Sequence, residues 1–253
     1  MEADIPKNLF IRELAARHRV ILLGGMAVIA HGLSRQTKDF AIWLEPFSGA
    51  REWAAMLLAT TRVFPEAILW SLAQRRELED AELAAEAEDS GVVRINGFAL
   101  PVDVFRRPNE LEPEDFERVW AATRRMDDKV ALPDEIDLYV TKANTGREND
   151  WHDRVFLEGR VKQRYRERLP VCDAAEARAL IERFLDPEVL AFALENPDAE
   201  VRAMALAHLR EFEAEGDPYS RDILAAWRTK NPTPGEGGRP ARRFGHPART
   251  HSP

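Results

Sequence analysis

A chain of 253 residues can bury a sizeable core, either as one large domain or as a domain of about 150 residues with a helical extension. Its composition, 45% hydrophobic and 32% charged, excludes a mostly disordered chain, and its formal charge of -8 argues against a general nucleic-acid coat. No apolar run approaches the roughly 18 residues that span a bilayer, Met1-Glu2-Ala3-Asp4 lacks the basic start of a signal peptide, and the single Cys172 leaves no internal disulfide. The expectation is a cytoplasmic protein with no membrane partner.

Asn8 to His18 has helical apolar spacing through Leu9, Phe10 and Leu14. Val20 to Leu23 is a short continuous apolar run, as a buried strand is, and Gly24-Gly25 leads into a helix from Met26 to His31 that Gly32 ends. Phe40 to Leu44 reads as a second strand stopped by Pro46, and Ser48 precedes a helix with Trp53, Met56 and Leu57 on one side. Residues 66–90 read as helix-prone and acidic, with a solvated outer face. Val92 to Ile95 and Phe98 to Phe105 read as strands around Asn96-Gly97, the strongest two-residue hairpin signal. Pro101 inside the second run suggests an edge or a bulge, and alternation sends Asp103 to the face opposite Val102 and Val104.

Pro113 suits the first turn of a helix through Trp120, and Ile136 to Val140 is a third apolar run able to join the sheet. From Glu148 the chain reads as successive helices. Trp151, Val155 and Phe156 mark one face, Ala174 to Leu185 forms another helix, and Pro187 and Pro197-Asp198 open two more. Asn196 to Leu209 is similar to half of a HEAT-type repeat, but one copy is a packing unit, since a solenoid needs about three. After Trp227 apolar residues give out, predicting a disordered basic Pro/Gly-rich tail over 229–253. The expected organisation is an α/β domain over 1–145, a helical region over 146–228, and that tail.

Two glycines after a strand let a backbone approach a ligand closely and leave amides free for phosphate oxygens. Gly-Gly alone is more often a tight turn, and an aspartate at a strand entrance more often a cap. The joint arrangement of Gly24 and Gly25 with Arg35, Thr37, Asp39, Asp103, Lys142 and Arg147 raises them together as a candidate site.

The stretch from about Val20 to Glu158 resembles the nucleotidyltransferase superfamily, the polymerase-beta-like fold, and within it small bacterial members related to abortive-infection and minimal nucleotidyltransferase toxin-antitoxin proteins. The resemblance is carried by Gly24-Gly25-Met26-Ala27, His31-Gly32, Arg35-x-Thr37-x-Asp39 and Pro101-Val102-Asp103-Val104. Further along, it includes Lys142 with Thr145-Gly146-Arg147-x-Asn149-Asp150 and Asp153. It implies an α+β fold, a nucleotidyltransferase-like mixed sheet flanked by helices, followed by the helical region and the tail. It also implies transfer of a nucleoside monophosphate from an NTP to a hydroxyl acceptor on a protein, RNA or small molecule. In the family, Mg2+ or Mn2+ is held by two carboxylates in Asp-x-Asp spacing and a third from a neighbouring strand.

Asp39 and Asp103 match the first and third carboxylates, as catalytic and metal-binding residues; Gly24, Gly25, Arg35, Thr37, Lys142 and Arg147 match the nucleotide-binding positions. Ala41 stands where the second carboxylate would be. Losing an outer-shell partner costs about 10 to 100-fold, and a missing anionic ligand costs more, so activity is expected to be reduced or lost. Glu45 lies four strand residues further, at about 3.3 Å each, and cannot substitute. His31 could donate to a phosphate or simply cap its helix. The alternative is a non-catalytic nucleotide-binding or antitoxin-like regulatory protein engaging a protein partner through the C-terminal helices; a weaker idea is RNA docking through the tail.

Overall fold

In the computed structural model, residues 8–126 and 130–231 are described. Asn8 caps α1 (Leu9–Arg17) by accepting from the Ile11 amide at 3.2 Å, and the helix buries Phe10, Ile11, Leu14 and Ala15. The continuous apolar run Val20–Leu23 is β1, buried at all four positions, and Gly24 leads directly into α2 (Gly24–Ala30). That helix ends as its glycine requires: Gly32, at φ +109, donates to the Ile29 carbonyl at 2.9 Å and Leu33 donates to that of Val28 at 3.2 Å. The chain then turns back toward β2 (Phe40–Leu44).

β2 pairs antiparallel with β1 on one side and parallel with β6 (Val102–Phe105) on the other. Beyond β6 come β5 (Val92–Asn96), β3 (Ile68–Ser71) and β4 (Arg76–Glu77), each antiparallel to its neighbour. On the other flank β1 pairs parallel with β8 (Val130–Leu132), which pairs antiparallel with β7 (Arg124–Arg125). Among the described residues this is one mixed eight-stranded sheet, in the order β4-β3-β5-β6-β2-β1-β8-β7. Helices α3 (Ala50–Thr61), α4 (Leu83–Asp89) and α5 (Phe116–Ala121) supply Trp53, Leu57, Leu83 and Phe116 to its core, so the fold is α+β.

Five sequence expectations are corrected. Residues 66–90 are not continuously helical: β3 and β4 form a hairpin, and the buried Ser71 hydroxyl donates to Glu86 at 2.7 Å to tie α4 beneath it. The β5–β6 hairpin is real, but its turn is not Asn96-Gly97, because Ile95 pairs with Val102 and residues 97–101 are looped out. Gly97 is demanded by a close approach instead: a Cβ there, at φ +100, would fall 1.8 Å from the Glu66 carbonyl oxygen. Pro101 precedes a central strand rather than marking an edge or a bulge, and its carbonyl accepts from Phe40 at 2.9 Å.

Ile136 to Val140 is helical rather than extended, within α6 (Glu135–Thr141), because Asp134 caps it by accepting from the Ile136 amide at 2.9 Å. In α7 (Glu148–Arg168) the inward stripe is Asp150, Asp153, Leu157 and Val161, leaving Trp151 and Val155 exposed rather than on the buried face. Two carboxylates, Asp150 and Asp153, thus stand on the inward face instead of Trp151 and Val155.

The chain divides into two compact units between Arg164 and Tyr165. The second contains α8 (Ala174–Arg183), α9 (Pro187–Ala193), α10 (Ala199–Ala214) and α11 (Pro218–Lys230), packed through Ile181, Leu190, Val201, Leu209 and Leu224. Its buried polar pin is Asn196, which donates to the carbonyls of Leu169 at 2.6 Å and Cys172 at 2.9 Å. The tail expected from residue 229 lies outside the described residues from 232 onward. Among the described residues no helix is long and apolar enough to cross a membrane.

Candidate functional site

The glycine pair, the segment 35–39, β5, β6 and the residues around the start of α7 meet in the first unit. Gly25 is required by contact, since a Cβ there would lie 2.6 Å from both Arg35 Nη2 and Thr37 Oγ1. Gly24, at φ +60, packs against Ala41, whose Cβ would be 2.8 Å from a Cβ at position 24. Segment 35–39 is thereby laid over the turn, and the Thr37 hydroxyl donates to Asp39 Oδ1 at 3.3 Å.

Asp39 enters β2 one residue before Phe40, and Ala41 is the cross-strand neighbour of both Leu23 and Asp103. On the far side of β6, Asp103 faces Arg94. The Arg94 fork grips Asp103 through Nε to Oδ1 at 2.6 Å and Nη2 to Oδ2 at 2.9 Å, and the same Nη2 lies 3.4 Å from Asp39 Oδ2. The two carboxylates therefore converge on one guanidinium. Arg94 Nη1 makes no hydrogen bond among the described residues. Burial holds the Asp103 carboxyl above the usual carboxylate range against the downward pull of Arg94, with the Asp39 charge adding to the rise and Arg147 opposing it. The hydrogen bond to Asp103 in turn raises the Arg94 pKa.

A second charged cluster adjoins the first. Buried Lys142, at the C-terminal end of α6, places Nζ 2.6 Å from Asp150 Oδ1 and 2.9 Å from Asp153 Oδ2, and Arg35 Nη2 donates to the same Asp153 oxygen at 2.8 Å. Two cations thus offset two buried anions, the arrangement burial demands of charge. Burial pushes the Asp150 carboxyl up, but Lys142, Thr145 and Arg147 together hold it below its ordinary value. Asp153 Oδ1 and Arg35 Nε, both shut off from solvent, have no hydrogen-bond partner among the described residues. Arg147 is exposed, makes no ion pair among the described residues, and its charge acts on both Asp103 and Asp150.

Gly24, Gly25, Arg35, Thr37, Asp39, Asp103, Lys142 and Arg147 therefore share one region, with the Lys142 ammonium turned to internal carboxylates and Arg147 open to solvent. His31 lies to the side: its Nε2 is 2.9 Å from the Pro133 carbonyl and its Nδ1 is 3.6 Å from Glu135. That contact, with Arg164, holds the Glu135 carboxyl down to about 2. Sequence reading missed Arg94, whose signal was a charged residue alternating to the face opposite the buried Val93 and Ile95, the face that Asp103 shares. A separate concavity of about 670 Å³ lies at the opposite ends of β1 and β2, lined by Arg17, His18, Arg19, Trp120 and Arg125, where Glu45 accepts from Arg19 Nε at 2.7 Å.

A search against protein-family models and a search against curated proteins each returned no match. The functional reading therefore rests on the residues. As a cage for a divalent ion they fit poorly. Both oxygens of Asp103 are taken by Arg94, Ala41 offers a methyl group, and among the described residues no group of three or more His, Cys, Asp or Glu side chains could hold a metal.

Proposed function

We propose that this chain is a nucleotidyltransferase-like protein whose cleft takes a nucleoside triphosphate, with its transfer chemistry reduced or lost. The observation that carries the reading is the convergence of Asp39 and Asp103, distant in sequence, beside a glycine turn whose Cβ positions are filled by Ala41, Arg35 and Thr37. The exposed Arg147 is a donor suited to phosphate oxygens. Transfer to a hydroxyl acceptor relies on positive charge placed at the reacting phosphate, and the donors that would hold magnesium or manganese are largely engaged elsewhere. No transfer step is therefore assigned to the wild-type cleft.

The test is calorimetric titration of ATP, GTP, CTP and UTP into the full chain, with a pyrophosphate-release assay on wild type and Ala41→Asp. Binding of at least one NTP, with release absent from wild type, is the expected result. Absence of binding by every NTP would defeat the reading.

A second reading, an antitoxin-like regulatory or interaction protein, is favoured by large apolar side chains exposed in the helical unit, Val171 at 70%, Tyr219 at 52% and Leu185 at 47%. It predicts a stoichiometric protein partner whose binding is lost on Val171→Ser/Tyr219→Ser.

A further inference from the structure

We propose that the Arg94 guanidinium is a built-in cation that excludes a divalent metal from the Asp39–Asp103 pair, so that nucleotide enters this cleft without a metal ion. This rests on the nucleotide reading above and specifies which form of the ligand the site takes.

A divalent ion shared by Asp39 and Asp103 needs lone pairs that point into the space between them. Arg94 occupies that space, with two bonds of 2.6 and 2.9 Å to Asp103 and one Nη2 contact of 3.4 Å to Asp39. Bidentate, charge-assisted pairing is among the stronger hydrogen bonding a side chain makes, and the pairing is largely buried, with 26% of the Arg94 side chain and 11% of that of Asp103 exposed. The guanidinium also keeps its charge at any ordinary pH, so no change of proton count frees the site.

Compared with a cage of three carboxylates, alanine at position 41 removes one negative charge and Arg94 adds one positive charge. Together the two differences amount to the charge of one divalent ion. Ala41, Asp103 and Arg94 are cross-strand neighbours on β2, β6 and β5, and Asp39 stands two residues before Ala41, so the substitution and the added cation act on the same point.

The fork, moreover, is not used up. Nε and Nη2 hold the carboxylates, while Nη1 makes no hydrogen bond among the described residues and can donate to a phosphate oxygen. A fixed donor there supplies the charge neutralisation a metal would bring, without its Lewis acidity. Binding without turnover follows.

The experiment measures Mn2+ bound to the full chain by electron paramagnetic resonance, alongside ATP affinity in EDTA and in excess Mg2+. For wild type, Mn2+ without nucleotide should stay free, and ATP affinity should differ by no more than about threefold between the two buffers. Arg94→Met, which keeps the stem and removes the fork, should bind Mn2+ and make ATP affinity depend on the divalent ion by at least about tenfold. Arg94→Gln serves as a second variant should the methionine form fail to fold.

Stoichiometric Mn2+ binding by wild type would overturn the inference. So would a loss of ATP affinity beyond about tenfold in EDTA. Failure of ATP to bind in either buffer would instead defeat the nucleotide reading, while the Mn2+ comparison still decides whether Arg94 excludes metal.

Discussion

Arg94→Ala leaves the largely buried Asp103 carboxylate without the two donors, at 2.6 and 2.9 Å, that now satisfy it. Breaking a buried ion pair costs about 3–5 kcal/mol, and the 26% exposure of the Arg94 side chain admits enough water to place this case at about 2–3 kcal/mol. The penalty carries a pH signature. Burial already raises the Asp103 pKa, and removing Arg94 takes away the group that pulls it down, so the folded-state value moves further above the unfolded value of about 3.9. An acid with a raised folded-state pKa destabilises the fold when ionised and ceases to do so once protonated. The Arg94→Ala penalty should therefore be largest near neutrality and shrink as pH falls through that raised pKa.

Urea unfolding followed by the fluorescence of the fully buried Trp43 and Trp53 measures this in the unit that holds the site. Adding Asp103→Asn to Arg94→Ala should recover much of the loss, giving a coupling energy of about 1–2 kcal/mol. Additivity of the two substitutions within about 0.5 kcal/mol, or a penalty that does not change with pH, would refute the reasoning.

Gly24→Ala must accept a left-handed backbone at φ +60 and a Cβ 2.8 Å from that of Ala41, a sum of about 2–4 kcal/mol. The double variant Gly24→Ala/Ala41→Gly removes only the overlap and should be about 1–2 kcal/mol more stable than the single one, whereas equal stability would contradict the contact. Glu135, depressed from 4.5 to about 2 by His31 and then by Arg164, contributes stability that is complete above pH 4.5 and lost as pH falls toward 2. With solvent screening, on the order of 1–2 kcal/mol is at stake, so Glu135→Gln should flatten the acid limb of the stability curve. Parallel acid limbs for wild type and variant would remove Glu135 from the account.

The continuous apolar runs at Val20–Leu23 and Phe40–Leu44, the helix stop at Gly32 and the turn of Asp103 to the face opposite Val102 and Val104 were legible because each follows from local pattern or from a φ only glycine adopts readily. What failed was set by tertiary contact. An Asn-Gly turn would place Arg94 opposite Ala99, some four residues or about 13 Å of strand from Asp103. The longer loop, forced where Glu66 crosses Gly97, slides Arg94 into register with Asp103. The partner of the third carboxylate was hidden by a turn. In α7, likewise, apolar spacing pointed to Trp151 and Val155, while Lys142 and Arg35 make carboxylates at 150 and 153 the inward residues. A seven-residue segment such as α6 has no periodicity long enough to separate helix from strand, and only its aspartate cap distinguishes it.

Amide hydrogen exchange of the full chain with and without ATP, read by mass spectrometry of its peptides, is the most direct test of nucleotide occupying this cleft. The account predicts slowed exchange in the segments carrying Gly24–Met26, Thr37–Asp39 and Arg147–Asp150. Protection centred instead on Arg17–Arg19 and Trp120–Arg125, at the opposite ends of the strands, or none anywhere, would contradict it.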